Sequence, residues 1–381
     1  MNRGAIAEIN LPAIAHNLKT VSKAVKKIPI IAVVKADAYG HGCIEVSKKL
    51  IQEGASFLAV AYTGEAIPLR GAGITAPIIV LFDCKDIDNF FDFDLLPVIH
   101  DTTTASALSQ VAKKRGTTIK VHVKIDTGMG RLGLSGNYIF EDIIRIADME
   151  GIELAGLMSH FSDADLSDRS YATVQLKQFI MIREALCKKL NKKIFSHIAN
   201  SAAALNFEDA HLDAVRPGLM LYGYSPLSQN PNPPLSQDNP PIPPLTFIPA
   251  MKVKTEVLCI RNLPPYSPIS YGRTFITKRH SKIGVLPLGY ADGYNRLLSN
   301  NAEVLVKGTR VPVVGKVCMD LTMVDLTKIK DVREGDEVVI LGQQGNESIT
   351  AHELAWKAQT IPYEILTSLG SHSKKEYIHE S

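Results

Sequence analysis

Apolar residues along the first half of the chain fall in short runs separated by segments with helical spacing. The run Ile30-Ile31-Ala32-Val33-Val34 holds five consecutive apolar positions without alternation, which predicts a strand buried on both faces, as in a parallel sheet. Further strands are predicted over 57–61, 77–82, 95–99, 119–125, 153–158, 194–198 and 212–215. Between them the spacing predicts helices, among them 102–115, 137–150 and 176–189. A first helix opens at Leu11-Pro12, because proline in the first turn gives up no helical hydrogen bond. Pro68, inside the helix expected after Tyr62, should kink or shorten it.

Eight strands interleaved with helices predict an α/β fold, a (β/α)8 TIM-type barrel, over residues 10–235. A proline-rich connector over 236–250 follows, since Pro240-Pro241-Ile242-Pro243-Pro244 removes backbone donors and favours extended geometry. From 251 to 381 the pattern changes to short β-type runs with turns, and two helices lie near the end. This predicts a mainly β C-terminal domain, with an N-terminal strand in residues 1–9 packing on it. Lys307-Gly308-Thr309 has the form of a hairpin turn.

Composition narrows the range of ligands. With 42 basic and 39 acidic residues, a net charge of +3 and no long block of one sign, nothing points to nucleic acid or an anionic membrane surface. Five cysteines, odd in number, dispersed and without a CxxC pair, argue against a disulfide framework and a zinc site and fit a reducing cytoplasm. The N-terminal residues lack the apolar core of a signal peptide, and no apolar run approaches the ~20 residues of a membrane span. The expected ligand is a small molecule, in a soluble cytoplasmic protein.

In such a barrel the residues just after each strand converge on one face. Those positions hold Lys35 and Tyr39, the stretch Asp126 to Arg131, His160, Asn200 and Ser201, and finally Arg216-Pro217-Gly218. A lysine there faces an apolar cleft, which lowers its pKa and suits Schiff-base chemistry. Taken alone, a lysine at a strand end can equally lie along apolar surface with its amine in water. An amine beside a phosphate cradle suits pyridoxal 5'-phosphate, and barrels commonly bind phosphate after the last strand, where Gly218 allows close backbone approach. No dinucleotide fingerprint, P-loop or metal-type cluster accompanies them.

The stretch Val33-Val34-Lys35-Ala36-Asp37-Ala38-Tyr39-Gly40-His41-Gly42 resembles the cofactor-lysine signature of the alanine racemases, two-domain pyridoxal-phosphate enzymes. The likeness continues in order through Lys124-Ile125-Asp126-Thr127-Gly128-Met129-Gly130-Arg131, Ser159-His160-Phe161, His197-Ile198-Ala199-Asn200-Ser201 and Arg216-Pro217-Gly218. It ends with Ser270-Tyr271-Gly272-Arg273-Thr274, Leu288-Gly289-Tyr290-Ala291-Asp292-Gly293, Val317-Cys318-Met319-Asp320 and Ile361-Pro362-Tyr363-Glu364. The resemblance implies interconversion of L- and D-alanine, supplying D-alanine for peptidoglycan, by a homodimer whose active sites are shared across the interface. It implies two opposed bases, Lys35, which also carries the cofactor, and Tyr271 from the neighbouring subunit. Cofactor contacts are implied for Tyr39, His160, Asn200, Ser201, Arg216, Gly218, Leu219 and Tyr363. Substrate contacts are implied for Arg131, Met319, Tyr271 and Tyr290. Lys124, carbamylated in some members, would orient Arg131, and His197 would support Arg216.

Two other enzyme readings share this architecture: a serine or broad-specificity racemase and a basic amino-acid decarboxylase. A non-enzymatic carrier of the cofactor resembles the barrel alone. The Lys35 and Tyr271 motifs speak against the decarboxylase, and the region after Met251 speaks against the carrier.

Overall fold

The computed structural model describes residues 4–83, 85–227 and 245–380. Most of the proline-rich connector expected over 236–250 lies outside the described residues. A first strand, β1 (Ile6–Asn10), leads directly into the helix Leu11–Ala24. The Asn10 side chain accepts from the Ala13 N–H at 2.8 Å, satisfying one of the free donors of the first turn. That helix buries Leu11, Ile14, Leu18 and Val21, one stripe at helical spacing.

Seven parallel strands follow in sequence order, β2 (Ile31–Val33), β3 (Phe57–Val60), β4 (Ile78–Val80), β5 (Leu96–Ile99), β6 (Ile119–Lys124), β7 (Ile152–Met158) and β8 (Phe195–His197). Helices cross between them. Thr102–Arg115 is capped by Asp101, carries Lys113, Lys114 and Arg115 against its negative end and stops at left-handed Gly116. The helix predicted over 176–189 begins earlier, spanning Ser170–Leu190. The helix holding Pro68, Thr63–Gly71, is short, as the missing N–H requires.

The eighth strand, expected over 212–215, is reduced to one parallel bridge between Ile30 and Val215. Leu212 sits at φ +50, outside extended geometry, and Pro217 has no N–H to extend a ladder. The segment still closes the barrel. Ile31 and Val33 donate to the carbonyls of Val215 and Pro217, while Asp213 and Arg216 donate to those of Ser196 and Ala199. This closure sets Arg216 and Gly218 beside Lys35 at the carboxyl ends of the strands.

The remaining strands form a mainly antiparallel unit. Its largest sheet runs Thr309–Pro312, Glu303–Val306, Glu337–Gln344, Met251–Glu256, β1 and Lys374–Ile378, so β1 pairs antiparallel with Met251–Glu256 and parallel with the last strand. Lys307 and Gly308 form the two-residue turn of the Glu303–Val306 hairpin, both at positive φ. Among the described residues no helix is long and apolar enough to cross a membrane.

The two units meet backbone to backbone. A Cβ on Gly370, in the helix Pro362–His372, would come within 2.3 Å of the Gly40 carbonyl oxygen, and one on Gly40 within 2.6 Å of the Leu366 carbonyl. This contact carries Tyr363 over the barrel mouth. Gly370→Ala is therefore expected to destabilise the protein by about 1–3 kcal/mol, the range for overpacking a tight contact. A lower urea midpoint at unchanged slope would show it; an unchanged midpoint would contradict the contact.

Candidate active site

Directly after β2 the chain makes one left-handed turn. Ala36, Asp37 and Ala38 have φ/ψ near 53°/50°, and Tyr39 has φ 56°. L-residues disfavour this region by about 1–2 kcal/mol each. The turn is held by side chains around it: Asp37 accepts from the Cys43 N–H at 2.7 Å and pairs with Lys375 at 2.9 Å, and Glu65 accepts from the Ala36 N–H at 2.7 Å. His41 turns its Nδ1 to the Ala38 and Tyr39 carbonyls, 3.0 Å from each. The result is that Lys35 enters a cavity while Tyr39 stacks between Tyr222, at 4.7 Å, and Tyr363, at 5.8 Å.

The cavity, of about 970 Å³, lies between the barrel mouth and the helix carrying Tyr363. Lys35, Tyr39, Arg131, His160 and Asn200 line it, together with Ser201, Arg216, Gly218, Leu219 and Tyr363. Ten of the sequence-predicted site residues are thus brought together from distant parts of the chain. Burial lowers the Lys35 pKa, helped by the nearby Arg131 charge and opposed by Glu65. Burial holds the Tyr39 phenol well above its ordinary range, with the neighbouring Tyr363 adding to it, and pushes Tyr363 up to about 12.

Arg216 is buried, and both of its terminal nitrogens are engaged. It donates to the Ser159 and Ile198 carbonyls at 2.7 and 3.1 Å, to His197 Nδ1 at 2.7 Å and to His160 Nδ1 at 3.0 Å. Burial pushes its pKa down to about 9, so it stays charged at neutral pH. A guanidinium only donates, so both histidines must present unprotonated Nδ1 atoms. His197 then carries its proton on Nε2, which faces His122 Nδ1 at 2.9 Å. Burial followed by the Arg216 charge lowers the pKa values of all three, that of His122 to about 4.

His122 is missing from the sequence-predicted set, although the two-residue strand period places it on the face of Lys124. The structure makes room for it twice over. A bulge between Val121 and His122 shifts the β6–β7 register, and a Cβ on the facing Gly156 would come within 2.7 Å of its ring. The ring therefore lies across β7 to reach His197 on β8.

Asp126 also organises the site. Its carboxylate accepts from the backbone N–H groups of Gly128, Met129, Gly130 and Arg131 at 2.8–3.2 Å, which shapes the loop bearing Arg131. Arg131, Lys124 and Lys35 all approach the Phe82 ring, at 5.3–5.7 Å. Among the described residues the buried Lys124 Nζ has no hydrogen-bond partner, and burial with the Arg131 and Arg216 charges pushes its pKa down to about 8.

Tyr271, Tyr290 and Met319 are not in this cavity. They share an exposed edge of the C-terminal unit, where the Tyr290 N–H donates to Cys318 and the Ala291 N–H to Met319, while Ser270 Oγ donates to the Lys316 carbonyl at 2.6 Å. Their exposures, 71%, 42% and 53%, are high for large apolar side chains.

The donor set fits pyridoxal phosphate. It combines a partly buried amine, a hydrogen-bonded guanidinium and a turn where the Gly218 N–H donates to Ser201 Oγ at 2.8 Å. At Gly218 any side chain would strike the Tyr39 hydroxyl, 2.4 Å from a Cβ. Lys35 would hold the aldehyde, and Tyr39, Ser201, Leu219 and Tyr363 would surround the phosphate.

The neutral buried histidines link stability to pH. His41 and His122 have pKa values near 4 and His197 lies well below 6.5, whereas in the unfolded chain each titrates near 6.5. Below that pH the unfolded state binds more protons, so stability falls with pH from about 6.5 toward 4. The slope reaches about 1.4 kcal/mol per pH unit for each histidine. Urea unfolding at pH 7, 6 and 5 measures it; a flat profile would contradict the neutral assignment.

The family profile described as the alanine racemase N-terminal domain matches residues 9–226, and that of the C-terminal domain matches residues 250–377. An alanine racemase of Thermodesulfovibrio yellowstonii is 50% identical over 384 residues, covering 100% of this chain and 99% of its own. The crystal structure of the Bacillus anthracis alanine racemase with bound L-Ala-P is 34% identical, with TM-score 0.89 over 100% of this chain and 96% of its own. That of the Bartonella henselae enzyme, with covalently bound pyridoxal phosphate, is 29% identical, with TM-score 0.85 over 98% and 99%. Likeness across both units, on a chain whose barrel mouth gathers Lys35, Arg216 and the Gly218 cradle, places this protein in the alanine racemase family of pyridoxal-phosphate enzymes.

Proposed function

We propose that the protein interconverts L- and D-alanine by removing the α-proton on one face and returning a proton on the other. The observation that carries this reading is Lys35, a partly buried amine of lowered pKa in a cavity also lined by the charged, hydrogen-bonded Arg216. Bound pyridoxal phosphate supplies the electron sink that makes the α-proton acidic. Lys35 would hold the cofactor's aldehyde and, as a free amine, would be a base on one face. Arg216 would donate toward the pyridine nitrogen and, because a guanidinium does not give up its proton, would leave that nitrogen unprotonated, which weakens the electron sink and favours prompt reprotonation.

Inversion needs a second base opposite Lys35, because a carbanion reprotonated by its own donor tends to return the starting enantiomer. Tyr271 is the second base in this reading. Its exposure outside its own chain's cavity supports donation from a second copy, together with Met319 and Tyr290. The proposal therefore includes a homodimer with shared sites. Arg131 would take the substrate carboxylate, and Asn200 and His160 would flank the cofactor. The Lys124 amine, without a hydrogen-bond partner among the described residues and with its pKa lowered to about 8, supports carbamate formation there, the new anion orienting Arg131. Four described cysteines are free, which supports a cytoplasmic place, where the enzyme would supply D-alanine for peptidoglycan. Residues 10–235 would form the barrel domain, 236–250 the connector and 251–381 the second domain.

Incubation with each alanine enantiomer in deuterated water is expected to give α-deuterated product of both hands, with serine as the comparison substrate. No α-exchange on alanine would contradict the reading. Lys35→Ala should lose the borohydride-trapped cofactor adduct and the activity together. Tyr271→Phe should keep the adduct and suppress exchange mainly from one enantiomer, by roughly 10²–10⁴-fold. Equal losses from both enantiomers would contradict the assignment of two opposed bases.

A further inference from the structure

Glu65 lies outside the cavity, yet it binds the first peptide of the turn that carries Lys35. Its Oε1 accepts from the Ala36 N–H at 2.7 Å. Its Oε2 accepts from the Ala61 N–H at 2.6 Å and from the Tyr62 N–H at 3.3 Å. One carboxylate thus ties the peptide after Lys35 to the carboxyl end of β3. The adjoining turn is left-handed over four L-residues, a conformation the chain does not hold unaided. Asp37 and His41 hold its later residues, through Cys43, Lys375 and the Ala38 and Tyr39 carbonyls. At the Ala36 N–H the bond to Glu65 is the one that fixes the lysine's own end of the turn.

We propose that Glu65 is a positioning residue for Lys35, its carboxylate bridging β3 to the first peptide of the left-handed turn and so fixing the direction in which the lysine enters the cavity. The inference rests on the reading of Lys35 as the cofactor lysine. A carboxylate suits the task because it accepts several N–H bonds at once, and charge-assisted bonds are stronger than neutral ones. Its negative charge also opposes the lowering of the Lys35 pKa by burial and by Arg131. The plain alternative is that Glu65 only caps the helix Thr63–Gly71, in which it is the third residue.

The test compares holoenzymes of the wild type, Glu65→Gln and Glu65→Ala, with Leu69→Ala as a control. Leu69 is fully buried on the same helix, so its truncation lowers stability without touching the turn. Three properties are read well below the melting temperature: the visible circular dichroism per bound cofactor, kcat and KM for alanine, and the site of borohydride trapping by peptide mass. Glu65→Ala is expected to keep the label on Lys35, lose at least about half of the visible ellipticity, and lower kcat roughly 10- to 100-fold with KM within about threefold. Glu65→Gln, which retains one oxygen for the Ala36 N–H, should fall between it and the wild type. Leu69→Ala should leave ellipticity and kcat at wild-type values despite a lower melting temperature.

Unchanged ellipticity and kcat in both Glu65 variants, with Lys35 still labelled, would overturn the positioning role. Equal losses in Leu69→Ala would overturn it too, since general loosening of the helix would then suffice. Absence of the label from Lys35 in the wild type would instead overturn the reading of the cofactor lysine itself.

Discussion

L-amino acids avoid the left-handed helical region, yet four in succession, Ala36 to Tyr39, occupy it immediately after Lys35. Such a turn persists only where its surroundings determine it. Glu65 holds its first peptide, Asp37 anchors it to Cys43 and to Lys375 of the last strand, and Gly40 packs against the backbone of the helix carrying Tyr363. One short segment therefore joins both units of the fold, directs the lysine inward and seats Tyr39 against Tyr222 and Tyr363. Disturbance of the C-terminal unit reaches the cavity through these contacts.

Another part of the cavity wall depends on a buried charge. Arg216 is costly to bury without partners, and two carbonyls and two histidine nitrogens engage its terminal nitrogens. Those histidines must stay neutral, because protonation at Nδ1 would turn an acceptor toward a guanidinium into a second donor. His122 extends the arrangement by accepting from His197, and the β6–β7 bulge with Gly156 is the backbone arrangement that admits its ring. Arg216 and a lysine of lowered pKa line the same cavity, which supports the proton transfer proposed there.

Strand β2 and its lysine were legible because an unbroken apolar run leaves little choice of environment. The eighth strand was not: residues 212–215 have strand-like composition, but the φ of Leu212 and the missing N–H of Pro217 limit it to one bridge. The last strand, Lys374–Ile378, is too charged to read as a strand and exists through its parallel pairing with β1 at the far end of the chain. Lys35, Arg131, Arg216 and Gly218 could be read from their positions after strands and from ordered motifs. Glu65 and His122 act through contacts that no local pattern encodes, although the period of β6 placed His122 on the face of Lys124. The left-handed turn was not legible, since nothing in Ala-Asp-Ala-Tyr signals four positive φ values.

The cavity of one chain holds one of the two bases the proposed chemistry requires, and Tyr271 stands exposed on an edge that a second copy could present to it. The most direct measurement is complementation between two inactive chains, Lys35→Ala and Tyr271→Phe, unfolded together, refolded with cofactor and assayed for alanine racemisation. If each site takes Lys35 from one chain and Tyr271 from the other, mixed dimers contain one intact site, and an equal mixture recovers about a quarter of wild-type activity. Activity no greater than the average of the two variants refolded separately would contradict the shared site.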